Sequence, residues 1–347
     1  MTVSPVLQAG RSAKHQTRSA PVSGRIAALD MTKGVLVLLM VVYHSFNYST
    51  DYTLGFKYLP FLPSSFILIT GFLISYLSMR TDADRSRNPL RMPLRGLRLV
   101  LIFTLLNLAG EAIGRHKLNV DPEGIGYVFD HWFDIYITGN AHAAFVVLLP
   151  IAYLLILAPL LIVLDRASRF VVPILAILLI SYEAFLAQPD ELSANLSLLM
   201  AGVAGILLGR TSGRSLGAMG RYWFVALAVY GAYIAIAQAF EQTPIIQLLG
   251  ACLAVAAVFC CCARAGNKGL LQRRLVTLGK YSLIAYIVQI GLLQVLTRFF
   301  GRLQPYGQWF FLQMVAIALV MSVIAEGLEW ARTKMKWVDV SYRLMFA

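Results

Sequence analysis

Lys33 and His44 lie eleven residues apart in one apolar run, Arg25–His44, which reads RIAALDMTKGVLVLLMVVYH. At about 100° per residue, eleven residues make about three full turns. Both side chains therefore share a face, roughly 16 Å apart along the axis. Asp30 precedes Lys33 on the same helix, and Asn47 continues the polar track one turn past His44. Ionisable groups inside a membrane span are expensive and usually mark a path or a site. A lysine near one membrane surface and a histidine deep in the span could grip the two ends of one long, charged molecule. Each residue also has a plainer reading. Asp30 and Lys33 fit an i, i+3 ion pair, and His44 fits a core histidine bonded to a neighbouring hydroxyl. Their place on one helix, with Asn47 beyond, favours a site.

The elements that position these residues follow from composition. Of 347 residues, 59% are hydrophobic and 14% are charged, with a mean hydropathy of +0.70. Repeated apolar runs of about 18 or more residues mean a polytopic helical membrane protein. Each span satisfies its own backbone hydrogen bonds, so the expected fold is an all-α bundle of transmembrane helices. Ten spans are expected: 26–50, 59–79, 94–114, 141–164, 170–187, 193–209, 221–240, 244–263, 279–297 and 308–331. The net charge of +13 would suit a nucleic acid partner. The Lys and Arg residues sit at span ends, however, as topology signals do, which excludes that partner.

Loop charge sets the orientation. One set of loops carries Arg11 to Arg25, Arg80 to Arg98, Arg166 and Arg169, Arg210 to Arg221, Arg264 to Lys280 and Arg332 to Arg343; the opposite set holds only Lys57, Arg115, Lys117, Arg298 and Arg302. The positive-inside rule then places both termini in the cytoplasm. The expected organisation is a disordered basic tail over 1–24, a transmembrane domain over 25–335 and a cytoplasmic tail over 336–347. A cleaved signal peptide is the rival reading of the N-terminus, since Gly34–Val42 has the character of a short apolar core. SFNYSTDY follows it and offers no small-residue cleavage site.

The four cysteines, Cys252 and Cys260 to Cys262, show no pairing framework and no metal spacing. There is no internal repeat, phosphate-binding loop or zinc motif, so neither a metal nor a permanently bound cofactor is expected. Gly202, Gly205 and Gly209 read as close helix packing. The one substantial outer loop, about 115–140, interleaves aromatics with Asp130, His131 and Asp134. It fits an amphipathic surface segment, a sugar-binding face or an interfacial aromatic belt.

Three further segments complete a pattern. The second predicted span carries Thr70-Gly71-Phe72-Leu73 after a Phe run. A basic stretch, MPLRGLRLVLIF, enters the third with Arg95 and Arg98. The ninth reads LGKYSLIAYIVQI, giving Leu278-Gly279, Tyr281-Ser282 and Tyr286. Together with Arg25, Leu29-Asp30, Lys33-Gly34 and His44, these resemble the transmembrane acyltransferase superfamily. It includes acyltransferase-3 proteins, osmoregulated-glucan succinyltransferases and heparan-glucosaminide N-acetyltransferases. The resemblance covers the first hundred residues best and the ninth span moderately. Thr70 replaces the usual Ser, Gln289 stands where a histidine is common, and GNAHAAF replaces the Trp-Ser/Thr-Leu…Glu pattern of acyltransferase-3 proteins before the fourth span.

The resemblance implies an integral-membrane O-acyltransferase of the bacterial inner membrane, with the acyltransferase domain over 25–335. Its co-substrate would be cytoplasmic acyl-CoA, acetyl-CoA or succinyl-CoA, and its acceptor a hydroxyl of an extracytoplasmic glycan or glycolipid. His44 would act as general base or as nucleophile, with Lys33 and Asp30 orienting the polar core. Arg25, Arg95, Arg98, Thr70, Gly71, Tyr281 and Ser282 would bind the donor. Asn47 and His142, with Asn140 nearby, would serve the acceptor. The other functional class is a proton-coupled transporter or an exporter of a small molecule or glycan precursor. That class usually shows two related halves with broken helices, and no such halves are visible. The acyl group, the acceptor and the oligomeric state are left open by the sequence.

Overall fold

In the computed structural model, residues 26–51, 59–80, 91–112, 129–139, 145–186, 193–211, 216–237, 239–240, 243–266 and 268–346 are described. They are mostly helical, with no strand among the described residues. The helices are α1 (Ala27–Asn47), α2 (Leu62–Arg80), α3 (Arg91–Ala112), α4 (Leu148–Ala167), α5 (Val171–Ser181), α6 (Ala194–Thr211), α7 (Trp223–Ala237), α8 (Pro244–Ala265), α9 (Leu270–Lys280), α10 (Ser282–Phe300), α11 (Gln308–Lys334) and α12 (Lys336–Phe346). Short π-helical turns occur at Asp134–Thr138 and, continuing α5, at Tyr182–Leu186.

Every expected span coincides with an apolar helix. Seven are long and apolar enough to cross a membrane; Leu62–Tyr76, Val171–Phe185 and Ala194–Arg210 are shorter apolar helices. The protein is an all-α, multi-pass membrane protein. Two segments outside the spans are also helical. The basic stretch before the ninth span, expected as a loop, is α9. The expected tail 336–347 contains α12. Both are amphipathic: α9 exposes Leu270 and Leu271, while α12 exposes Trp337, Val340 and Leu344. Their alternation of basic and apolar residues is too polar for a span and has the character of a membrane-surface helix.

Glycine decides which helices touch. A Cβ on Gly71 would stand 2.0 Å from the Gly202 carbonyl oxygen, and one on Gly205 would stand 2.0 Å from that of Leu68. So α2 and α6, the most extensively packed pair, meet backbone to backbone, as the Gly-rich patch predicts. The α1–α9 pair is built the same way: a Cβ on Gly34 would lie 2.1 Å from the Leu275 carbonyl oxygen. At the α3–α4 contact, a Cβ on Gly96 would lie 2.6 Å from that of Ala152. Apolar side chains of lipid-facing helices gain nothing from mutual burial in hydrocarbon, so close packing supplies the attraction.

Several hydroxyls within the spans are satisfied locally. Thr32, Ser65, Thr70, Thr104 and Ser322 each donate to the carbonyl four residues back, at 2.8 or 2.9 Å. This keeps isolated polar groups bonded where water is absent. The largest core cluster joins Leu36, Met40 and Tyr43 of α1 with Phe103, Leu148, Val255 and Tyr286. At the other extreme, 6% of the apolar window over Ala218–Ala237 is buried, so α7 is a peripheral helix held by α8.

Candidate active site

Asp30 and Lys33 form an ion pair of 2.6 Å, with side chains 13% and 19% exposed. On insertion scales, a lone Asp or Lys at a span centre costs about 3 kcal/mol. Pairing near the helix start offsets much of that cost. Lys33 also opens onto a cavity of about 300 Å³. Five elements line it: α1 with Lys33 and Met40; α2 with Phe66, Ile69, Thr70, Leu73 and Ile74; α3 with Arg91, Met92, Arg95 and Leu99; α4 with Leu148, Ile151 and Leu155, preceded by Val147; and α10 with Ser282, Leu283 and Tyr286.

The lining is sorted by depth. Arg91 and Arg95 lie in the first turns of α3, Ser282 starts α10, and Lys33 lies near the start of α1. Three cations and three helix N-termini therefore gather at one end, a setting that favours anions. Met40, Leu99 and Tyr286 come farther along the same helices, so the cavity leads away from the charges into apolar walls.

His44 stands one turn past Met40. Its ring centroid lies 5.1 Å from that of Tyr43 and 5.9 Å from that of Tyr286. Tyr286, which lines the cavity, thus separates it from His44 by one aromatic ring. The Nε2 of His44 is buried and has no hydrogen-bond partner among the described residues. The same holds for Asn47 Oδ1 and for both amide atoms of Gln289, which is fully buried one turn past Tyr286. Buried polar atoms are nearly always bonded. Here several unbonded ones lie on α1 and α10 beside the far end of the cavity, which suits a polar guest that supplies their partners.

Of the residues singled out in the sequence, Lys33, Arg95, Thr70 and Ser282 line this cavity, and Asp30 holds Lys33. His44 and Asn47 lie beyond its far end. Three candidates go elsewhere. Gly71 faces Gly202, where it serves helix packing. Arg98 is not on the lining, because α3 presents Arg91, Arg95 and Leu99 as one i, i+4 stripe and turns Arg98 aside. Tyr281 is engaged in an ionic cluster. Its hydroxyl donates to the Glu329 carboxylate, which Lys280 also meets. It accepts from Arg332 Nη1 at 3.1 Å. Arg332 in turn reaches Asp339 Oδ1 through Nε at 2.9 Å and Nη2 at 2.6 Å, tying α12 to α11. Arg25, Asn140 and His142 lie outside the described residues, as do the tail 1–24 and most of the outer loop 115–140.

The sequence reading missed Arg91 and gave Tyr286 no role beyond its place in the family pattern. Helical spacing carried the signal for Arg91: it precedes Arg95 by four and Leu99 by eight, whereas Arg98 breaks that stripe. No group of three His, Cys, Asp or Glu side chains that could hold a metal occurs among the described residues.

The family model described as an acyltransferase domain, that of the acyltransferase-3 family, matches residues 26–327. This span takes in α1 with Asp30, Lys33 and His44, every cavity-lining residue and Gln289. No curated protein and no solved structure matches the chain. With the match extending over most of its length and all of its cavity, the chain belongs to the acyltransferase-3 family and is a multi-pass membrane acyltransferase.

Proposed function

We propose that the protein transfers an acyl group from cytoplasmic acyl-CoA to a hydroxyl of an extracytoplasmic glycan or glycolipid, as an O-acyltransferase of a bacterial inner membrane. The observation that carries this reading is the run from three cations, through an apolar cavity, to Tyr286, whose ring adjoins that of His44 with its unpartnered Nε2. Acyl-CoA has the matching shape: a polyanionic head, a long narrow arm and a reactive thioester at its tip. The bias of basic residues supports a cytoplasmic mouth.

In this reading Lys33, Arg91 and Arg95 meet the phosphates, the arginines through charge-assisted, bidentate-capable bonds. Asp30 uses one donor of Lys33 and leaves the others for the ligand. The pantetheine arm lies along Thr70 and Ser282, and the thioester stops at Tyr286 beside His44. The acceptor arrives from the opposite side of the membrane, past Asn47, with His142 a further acceptor-side candidate. His44 Nε2 takes the acceptor's hydroxyl proton as its oxygen bonds the thioester carbonyl carbon. The carbon–sulfur bond breaks, and the proton passes to the departing thiolate. An O-ester and free CoA result, and the imidazole is neutral again. The three helical turns between Lys33 and His44 span roughly 16 Å, enough to keep the charged head of the donor at one surface while its tip reaches deep into the membrane.

The test is transfer of label from acyl-CoA to membrane glycan as an alkali-labile ester, in membranes carrying the protein or His44→Ala at matched levels. Labelled ester made only by the unaltered protein is the expected result. Equal labelling by the variant would remove His44 from the mechanism. Absence of both transfer and acyl-CoA binding would overturn the reading.

A further inference from the structure

The sequence leaves acetyl and succinyl donors equally open, and they differ only at the tip that would reach His44. The chemistry of the cavity is uneven in a way that separates them. Among the described lining residues, all the charge is at the mouth: Lys33, Arg91 and Arg95. Past Thr70 and Ser282 the walls are Met40, Phe66, Leu99, Leu148 and the ring of Tyr286. A succinyl group would carry its carboxylate past the thioester, about three helical turns from Lys33, into that apolar end. An ionised carboxylate taken out of water without a partner is strongly disfavoured. The neutral amides of Gln289 and Asn47 can hydrogen-bond it but cannot neutralise it. Protonated His44 could neutralise it, but an imidazolium has no free lone pair with which to take the acceptor's proton.

We infer that the donor end of this cavity selects a short, uncharged acyl group and rejects a carboxylated one, with Met40, Phe66 and Leu148 as the specificity-determining residues. The inference rests on the proposed acyl-CoA reading and goes beyond it by naming the class of group transferred. The cavity, at about 300 Å³, is at the small end of ligand sites. It suits a pantetheine arm bearing a few carbons and not a long fatty chain.

The test compares acetyl-, butyryl- and succinyl-CoA with membranes containing the full chain. Butyryl matches succinyl in chain length and lacks its charge. Each is measured as a labelled donor and as a competitor of acetyl transfer. The expected result is acetyl transfer, competed by butyryl-CoA and competed about 100-fold less well by succinyl-CoA. Met40→Lys, which puts a cation in the apolar end, is expected to raise succinyl competition relative to butyryl by about tenfold. The comparison of donors on the unaltered protein stands even if that variant does not fold. Succinyl transfer, or competition equal to that of butyryl, would overturn the inference and leave the acyltransfer reading intact. Failure of butyryl alongside succinyl, with acetyl still transferred, would replace charge by length as the selector and overturn it too. Failure of all three to bind or donate would overturn the acyl-CoA reading itself, and the inference with it.

Discussion

A Cβ on Gly279 would stand 1.7 Å from the carbonyl oxygen of Asp30. The backbones of α9 and α1 therefore touch at the level of the Asp30–Lys33 pair, leaving no room for a side chain between them. Lys33 owes its place at the cavity mouth to this contact as much as to its own helix.

Replacing Gly279 by Ala should force these helices apart. Overpacking of this kind costs about 1–3 kcal/mol, and the neighbour here is backbone, which yields little. Thermal unfolding of the detergent-solubilised protein is expected to shift downward. Gly291→Ala is the control, since a Cβ there meets nothing within 4 Å and Ala favours the helix by about 1 kcal/mol. Equal midpoints for the two variants would mean that the Gly279 contact contributes nothing.

Removing His44 should act on the chemical step and spare donor binding. Loss of a general base lowers turnover by about 10²–10⁴-fold. Because His44 lies beyond the cavity lining, acyl-CoA affinity of His44→Gln is expected to stay within about twofold of the parent. The measurement is single-turnover transfer alongside equilibrium acyl-CoA binding. A parallel loss of binding would assign His44 to the donor pocket.

The mouth arginines should divide by position. Arg91→Gln and Arg95→Gln each remove a cation from the lining, and a charged hydrogen bond is worth about 1.5–3 kcal/mol. Each is expected to raise the KM for acyl-CoA by about tenfold or more, with a weaker dependence on salt. Arg98→Gln, off the lining stripe, should change KM by less than about threefold. A larger effect at Arg98 than at Arg91 would reverse this assignment.

Docking of α12 should be acid-sensitive. The hydrogen bond from Arg332 holds the Asp339 carboxyl below its usual range, against a lesser desolvation effect and with a further contribution from Arg343. A carboxyl lowered in the folded state stabilises above its unfolded value of about 4, and that stability is lost as pH falls through the lowered value. A spin label at Val340→Cys is expected to be ordered at about pH 7 and to grow mobile as acid protonates Asp339. Asp339→Asn should be mobile already at about pH 7. An ordered Asp339→Asn helix would assign docking to the packing of Tyr342 on Tyr281, whose ring centroids are 5.4 Å apart.

Much of this was legible in the chain. The apolar runs mark every long helix because lipid demands internally bonded backbone and apolar side chains, both of which are local properties. The face shared by Lys33 and His44 follows from helical spacing alone. The amphipathic helices α9 and α12 were hidden, since short stretches with basic residues also look like loops when hydropathy is the guide. Tyr281 looked like a donor-binding residue beside Ser282, whereas Glu329 and Arg332, about fifty residues away, engage its hydroxyl.

By itself, then, the sequence determined a helical membrane protein and a polar track on its first helix, because both are written in the spacing of neighbouring residues. Only the tertiary structure decided that Arg91 faces the cavity and Arg98 does not. It also decided that Gly71 packs against Gly202, and that Tyr286 stands between the cavity and His44. Those outcomes depend on which face each helix turns to its neighbours. That choice is made by close contacts between residues distant in the chain, and spacing along one helix cannot encode it.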